Sequence, residues 1–159
     1  MNGGACFDPS GAYRYRLWRE WDPALPGVTF VMLNPSSADA EHDDPTIRRC
    51  MSFARSWGFG RLDVVNLCAY RAASPRALLA AEDPFGPENG LHLRAAGADA
   101  DLVVAGWGNQ GRVFTRPPFA RAVHHLGLTK LGQPRHPLYV RGETRPIAWT
   151  DRQRDTQTS

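Results

Sequence analysis

Four short segments of this 159-residue chain carry side chains in settings that favour chemistry. Asn34 follows the apolar run Val28-Thr29-Phe30-Val31-Met32-Leu33 and precedes Pro35, which fixes the backbone, so its amide can orient a water or bond a ligand. The competing role is an Asx-turn that merely ends the run. Asn66 stands near the end of Leu62 to Leu67. An amide there offers a donor and an acceptor side by side, suited to the edge of a heterocycle or to loop backbone. Gly106-Trp107-Gly108 joins two glycines that permit close backbone approach to an indole fit for stacking or for core packing. His136 lies between Arg135 and Pro137. A neutral imidazole in a proline-bounded turn can donate to a developing anion, and the adjacent guanidinium suits phosphate.

Asp39, Glu41, Asp43 and Asp44 form the densest carboxylate cluster. They could activate water or hold magnesium, but helix N-termini also attract acidic residues. Asp44-Pro45 reads as an N-cap followed by a first-turn proline, which leaves Asp39 and Asp43 open. Cys6, Cys50 and Cys68 are widely spaced, odd in number and too few for a four-thiolate cluster, so they are expected as buried thiols. His124-His125 is expected in a helix from Phe119 to Leu126, where neighbours do not face one ligand position. With no Gly-rich phosphate loop, zinc spacing or Gly-x-Ser-x-Gly elbow, neither a metal nor a cofactor is expected. A net charge of +3 and a pI near 9.0 point to an anionic partner or to a compositional bias toward arginine.

The elements that must position these residues follow from periodicity. Asp8 to Asp22 alternates, with Tyr13, Tyr15 and Leu17 on one side and Arg14, Arg16 and Trp18 on the other, the pattern of a strand expected at a sheet edge. Val28 to Leu33 does not alternate and reads as a strand buried on both faces. From Pro45, the residues Ile47, Cys50, Met51, Ala54 and Trp57 keep helical spacing up to Gly58. Leu62 to Leu67 is the next strand, Ser74-Pro75 starts a second helix, and Gly86-Pro87-Glu88-Asn89 opens a third. Leu102 to Ala105 is a further buried strand, with a short one expected near Leu128 to Leu131. Alternation of this kind implies an α/β domain over residues 1–145, with a mostly parallel sheet covered on both faces and a polar tail over 146–159. Ligands of such sheets bind beyond the carboxyl ends of the strands, where these segments would converge. No run of about 20 apolar residues and no secretory pattern is present, so a cytoplasmic monomer without a membrane partner is expected.

The segments Leu33 to Asp39, Asp43 to Arg49, Val65 to Arg71, Gly86 to Asn89, Trp107-Gly108 and Arg135 to Tyr139, taken in order, resemble an uncharacterised bacterial family, domain of unknown function 1643. The resemblance runs from about Tyr13 to Val140. A more distant one is to the uracil-DNA glycosylase superfamily. Its members carry an Asn-Pro or Asp-Pro loop, a base-binding Asn, a small-residue turn and a final His-Pro or Asn-Pro loop, in the order of Asn34-Pro35, Asn66, Trp107-Gly108 and His136-Pro137. Ser36 stands where the mismatch-type members usually have glycine, and the shorter final loop leaves Leu138 or Tyr139 at the wedge position. Three scattered cysteines exclude the iron-sulfur branches.

That second resemblance implies a three-layer sandwich and hydrolysis of the N-glycosidic bond of a flipped-out DNA base, as in DNA repair. It makes Asn34 and His136 catalytic, with Pro35, Ser36, Asn66, Tyr70, Trp107 and Leu138 binding substrate and Arg71 and Arg135 on the nucleic-acid backbone. The alternatives are a module that binds a nucleotide or nucleic acid without cleaving it, and a hydrolase of another small substrate working through Asp39 or Asp43.

Overall fold

The computed structural model describes residues 1–114 and 121–150. In chain order the elements are β1 (Asn2–Phe7), β2 (Arg14–Glu20), β3 (Gly27–Met32), α1 (Pro45–Ser56), β4 (Arg61–Asn66), α2 (Pro75–Ala80), α3 (Asn89–Asp99) and β5 (Leu102–Ala105). A 3-10 turn at Asn109–Val113, β6 (His124–His125), a second 3-10 turn at Pro137–Tyr139 and β7 (Ile147–Ala148) complete them. One sheet takes all seven strands in the order β1-β2-β4-β3-β5-β6-β7. The start of the expected helix at Phe119 and the end of the expected tail lie outside the described residues.

The sheet is mixed rather than mostly parallel. β4, β3, β5 and β6 run parallel, while β1-β2, β2-β4 and β6-β7 pair antiparallel. The short turn between β1 and β2 forces a hairpin, and a hairpin is antiparallel. β2 is therefore not the edge strand expected from its alternation, because β1 covers it. β1 escapes a reading by hydrophobic period because it opens Asn-Gly-Gly, yet Gly4 is needed. A Cβ there would lie 2.3 Å from the Trp18 ring on the facing strand.

The expected helix from Phe119 to Leu126 is also corrected, since His124 and His125 form β6 beside β5. The expected strand near Leu128 to Leu131 reduces to a single bridge from Leu128 to Pro134 around a turn. Within the expected tail, Ile147 and Ala148 pair with β6 and Trp149 is buried.

The two sheet faces carry separate cores. On one, Phe30, Leu62 and Val64 pack against Ile47, Cys50 and Phe53 of α1. On the other, Val31, Val65 and Val103 pack with Leu78 of α2 and Ala96 of α3. β3 and β4 are thus covered twice, as their unbroken apolar runs require. α1 begins where its cap dictates, for Asp44 Oδ1 accepts from Ile47 N at 2.8 Å and Pro45 needs no partner. Among the described residues no helix is long and apolar enough to cross a membrane.

β2 departs from strict alternation at one point. Cys6 faces Arg16 and Phe7 faces Arg14, so the register shift leaves Tyr15 as an extra residue, a β-bulge. Tyr15 turns to the α3 face, where its ring stacks on His92 with centroids 4.9 Å apart. Arg14 turns with Leu17 toward the α1 face, and its Nη1 donates to Ala38 O at 2.9 Å.

Candidate functional site

Because β3, β4 and β5 are parallel, the segments that follow them emerge at one edge, beside the turn at 135–139. They enclose a cavity of about 720 Å³. Asn34, Asn66 and His136, drawn from three distant segments, all line it, as do Pro35, Ser36, Trp107 and Arg135. Asn66 at 1% exposure is at the floor, Asn34 and His136 are half-buried in the walls, and Arg135 is exposed at the rim.

Three sequence candidates fall elsewhere. Tyr70 and Arg71 line a second concavity that shares Pro35 and Ser36 with the first. The Tyr70 ring packs against Tyr13, and the Arg71 guanidinium lies 5.1 Å from the Phe7 ring while donating to Gly11 O. Leu138 is exposed and lines neither concavity, whereas the more exposed Tyr139 borders the larger one.

Hydrogen bonding sets which atoms face the cavity. Asn34 Nδ2 donates to Pro35 O and Ala72 O, both at 3.3 Å, which leaves Oδ1 as the acceptor for a water or ligand. His136 Nδ1 accepts from Leu138 N at 3.1 Å, so the ring proton is assigned to Nε2. Burial pushes the His136 pKa below the ordinary imidazole value, with Asp44 opposing, and favours the neutral donor. Asn66 is different. Neither Nδ2 nor Oδ1 has a partner among the described residues, although both atoms are buried. Trp107 is held from behind, its Nε1 donating to Gln133 Oε1 at 2.9 Å.

A family model described as protein of unknown function (DUF1643) matches residues 14–138. The chain belongs to this family. The DUF1643 span takes in every residue named above as lining the cavity except Tyr139, and leaves β1 and β7 outside. No curated protein and no solved structure matches the chain.

The DUF1643 cavity also holds a residue that sequence reasoning did not select. Arg14 lines it at 2% exposure, and its Nε has no partner among the described residues. Burial pulls its pKa down to about 10, against the opposing pull of Asp44, so it stays charged at neutral pH. Strict alternation puts Arg14 opposite Leu17, and only the bulge against β1 brings both to one face. The carboxylates are committed elsewhere. Asp39 accepts from the backbone of Glu41 and His42 and from the His42 ring, which lowers its pKa to about 2. Asp43 pairs with Arg19 at 2.8 Å, and neither of the two lines the cavity. Asp44 does line it, but its oxygens accept from Ile47 N and Ala38 N. Among the described residues no three potential metal ligands stand together.

Proposed function

We propose that this DUF1643 domain is a base N-glycosylase-like hydrolase acting on a flipped-out damaged, deaminated or modified DNA base, on a three-layer fold of the uracil-DNA glycosylase kind. The observation that carries the reading is the buried amide of Asn66, without a partner among the described residues, at the floor of a cavity walled by Asn34 and His136. Leaving such a group unpaired costs about 1–3 kcal/mol, which pairing with a base edge would recover. Extruding a base costs a few kcal/mol, so that gain and stacking together offset it.

The gradient of exposure matches an extruded nucleotide. The base reaches Asn66, the glycosidic bond lies level with Asn34 and His136, and the backbone stays at the rim with Arg135. Asn34 Oδ1 orients a water toward C1′. Attack forms the C1′–O bond and breaks the C1′–N bond, leaving the electron pair on the base, where His136 Nε2–H stabilises the charge until the departing base anion takes up the proton that the water loses. Trp107 offers the nearby ring, and Arg71 in the adjoining concavity meets the nucleic-acid backbone.

A binding module is the second reading, favoured by one fact. Asn34 is an amide and cannot take a proton from water, and Asp39 and Asp43 lie outside the cavity. The same fact weighs against a hydrolase built on those two carboxylates.

Release of free base from oligonucleotides carrying uracil, hypoxanthine, xanthine and hypermodified pyrimidines, under single-turnover conditions, separates the two readings. For an enzyme, Asn34→Ala keeps binding and loses release, while Asn66→Ala loses discrimination between bases. Wild type that binds across the panel and releases nothing is a binding module.

A further inference from the structure

Buried arginines elsewhere in this sheet are neutralised. Arg19 at 4% exposure pairs with Asp43 at 2.8 Å, and the half-buried Arg16 and Arg61 both pair with Asp63. Arg14, at 2% exposure, takes part in none of the ion pairs among the described residues. Its one side-chain hydrogen bond there is from Nη1 to Ala38 O, while Nε is buried with no partner among those residues. Asp44 opposes its charge, but Asp44 is engaged by two backbone N–H groups, and Arg19 and Arg71 add positive charge. A buried guanidinium without a carboxylate is costly unless an anion arrives from outside. Arg14 lines the same cavity as Asn66, which lies on the strand next to its own.

We infer that Arg14 is the subsite for an anionic oxygen group, phosphate or carboxylate, carried by the ligand whose heterocycle meets Asn66. The fork of a guanidinium donates charge-assisted hydrogen bonds to either group. Both residues are at the floor, so the acidic group enters with the heterocycle and is not one of the backbone phosphates left at the rim. The ligand is therefore a base that bears an acid substituent or, in place of an extruded DNA nucleotide, a free nucleotide whose phosphate folds back to the floor beside its base. This rests on the base-edge role of Asn66 proposed above and is independent of bond cleavage.

Calorimetric titration of wild type, Arg14→Gln and Asn66→Ala with inorganic phosphate, uridine, inosine, their 5′-monophosphates and orotate tests it. The Arg14 Nε–H resonance is followed by NMR in wild type. The monophosphates or orotate should bind about 10-fold or more tightly than the uncharged nucleosides, shift that resonance, and lose the advantage in Arg14→Gln. The arm that binds identifies phosphate or carboxylate as the source. Nucleosides binding as well as their acids, affinities unchanged in Arg14→Gln, or no probe moving the Nε–H signal each overturn the subsite. Should Arg14→Gln fail to fold, the wild-type resonance and the nucleoside comparison decide. Acid binding that depends on Arg14 but is unchanged by Asn66→Ala keeps the anion subsite and removes the base-edge role of Asn66.

Discussion

Replacing Asn66 by leucine, which keeps the branched outline of the side chain, removes two buried polar atoms that have no partner among the described residues. Asn66→Leu should therefore leave stability unchanged or raise it by about 1 kcal/mol, read from the urea midpoint, while ligand binding is lost. A loss of about 2 kcal/mol or more would mean that the amide is partnered in the free protein. His136 makes a prediction in pH. Its folded pKa lies below the unfolded one, so protons bind the unfolded chain more tightly. The contribution of neutral His136 is complete above the unfolded value of about 6.5 and declines as pH falls from there toward the folded value. His92 and His124 are pushed the same way by burial, so the effect is isolated as the difference in Tm against pH between wild type and His136→Gln. A difference that does not change between pH 7 and pH 5 on this plot contradicts the assignment.

At the scale of elements, Asp44 joins the start of α1 to the loop that carries Asn34. One oxygen caps Ile47 N and the other accepts from Ala38 N. Asp44→Ala should cost about 1–2 kcal/mol in denaturant unfolding, and Asp44→Asn clearly less, because an asparagine cap retains most of the interaction. Equal costs for the two would place the effect in charge rather than capping. Legibility follows the same divide between local and distant partners. The start of α1 at Asp44-Pro45, the start of α2 at Ser74-Pro75 and the limits of β5 were readable because each rests on neighbours within a few residues. β6 was not. Its two histidines are a strand only because β5 and β7 flank them, and two residues carry no period. β1 was invisible for a related reason, since glycine supplies no hydrophobic alternation and its place depends on the Trp18 ring it accommodates.

For the whole molecule, the excess of arginine becomes testable as a field. If the cavity edge meets nucleic acid, log K should fall linearly with log salt, and Arg135→Ala should reduce that slope by about 1 while weakening all sequences alike. Flat salt dependence in a filter-binding or anisotropy assay would remove nucleic acid and leave a small ligand. The amino-acid sequence by itself determined the α/β class, the strands buried on both faces, the capped helix starts, and the family membership carried by ordered motifs. Those are properties of composition and short-range period. Only the tertiary structure decided which strands run antiparallel, that Asn34, Asn66 and His136 share a cavity without Tyr70, Arg71 and Leu138, and that Arg14 turns into it. Strand direction depends on how distant segments pair, and the facing of Arg14 depends on one extra residue opposite β1. Whether a buried amide or guanidinium finds a partner depends on all the atoms around it, which no spacing along the chain encodes.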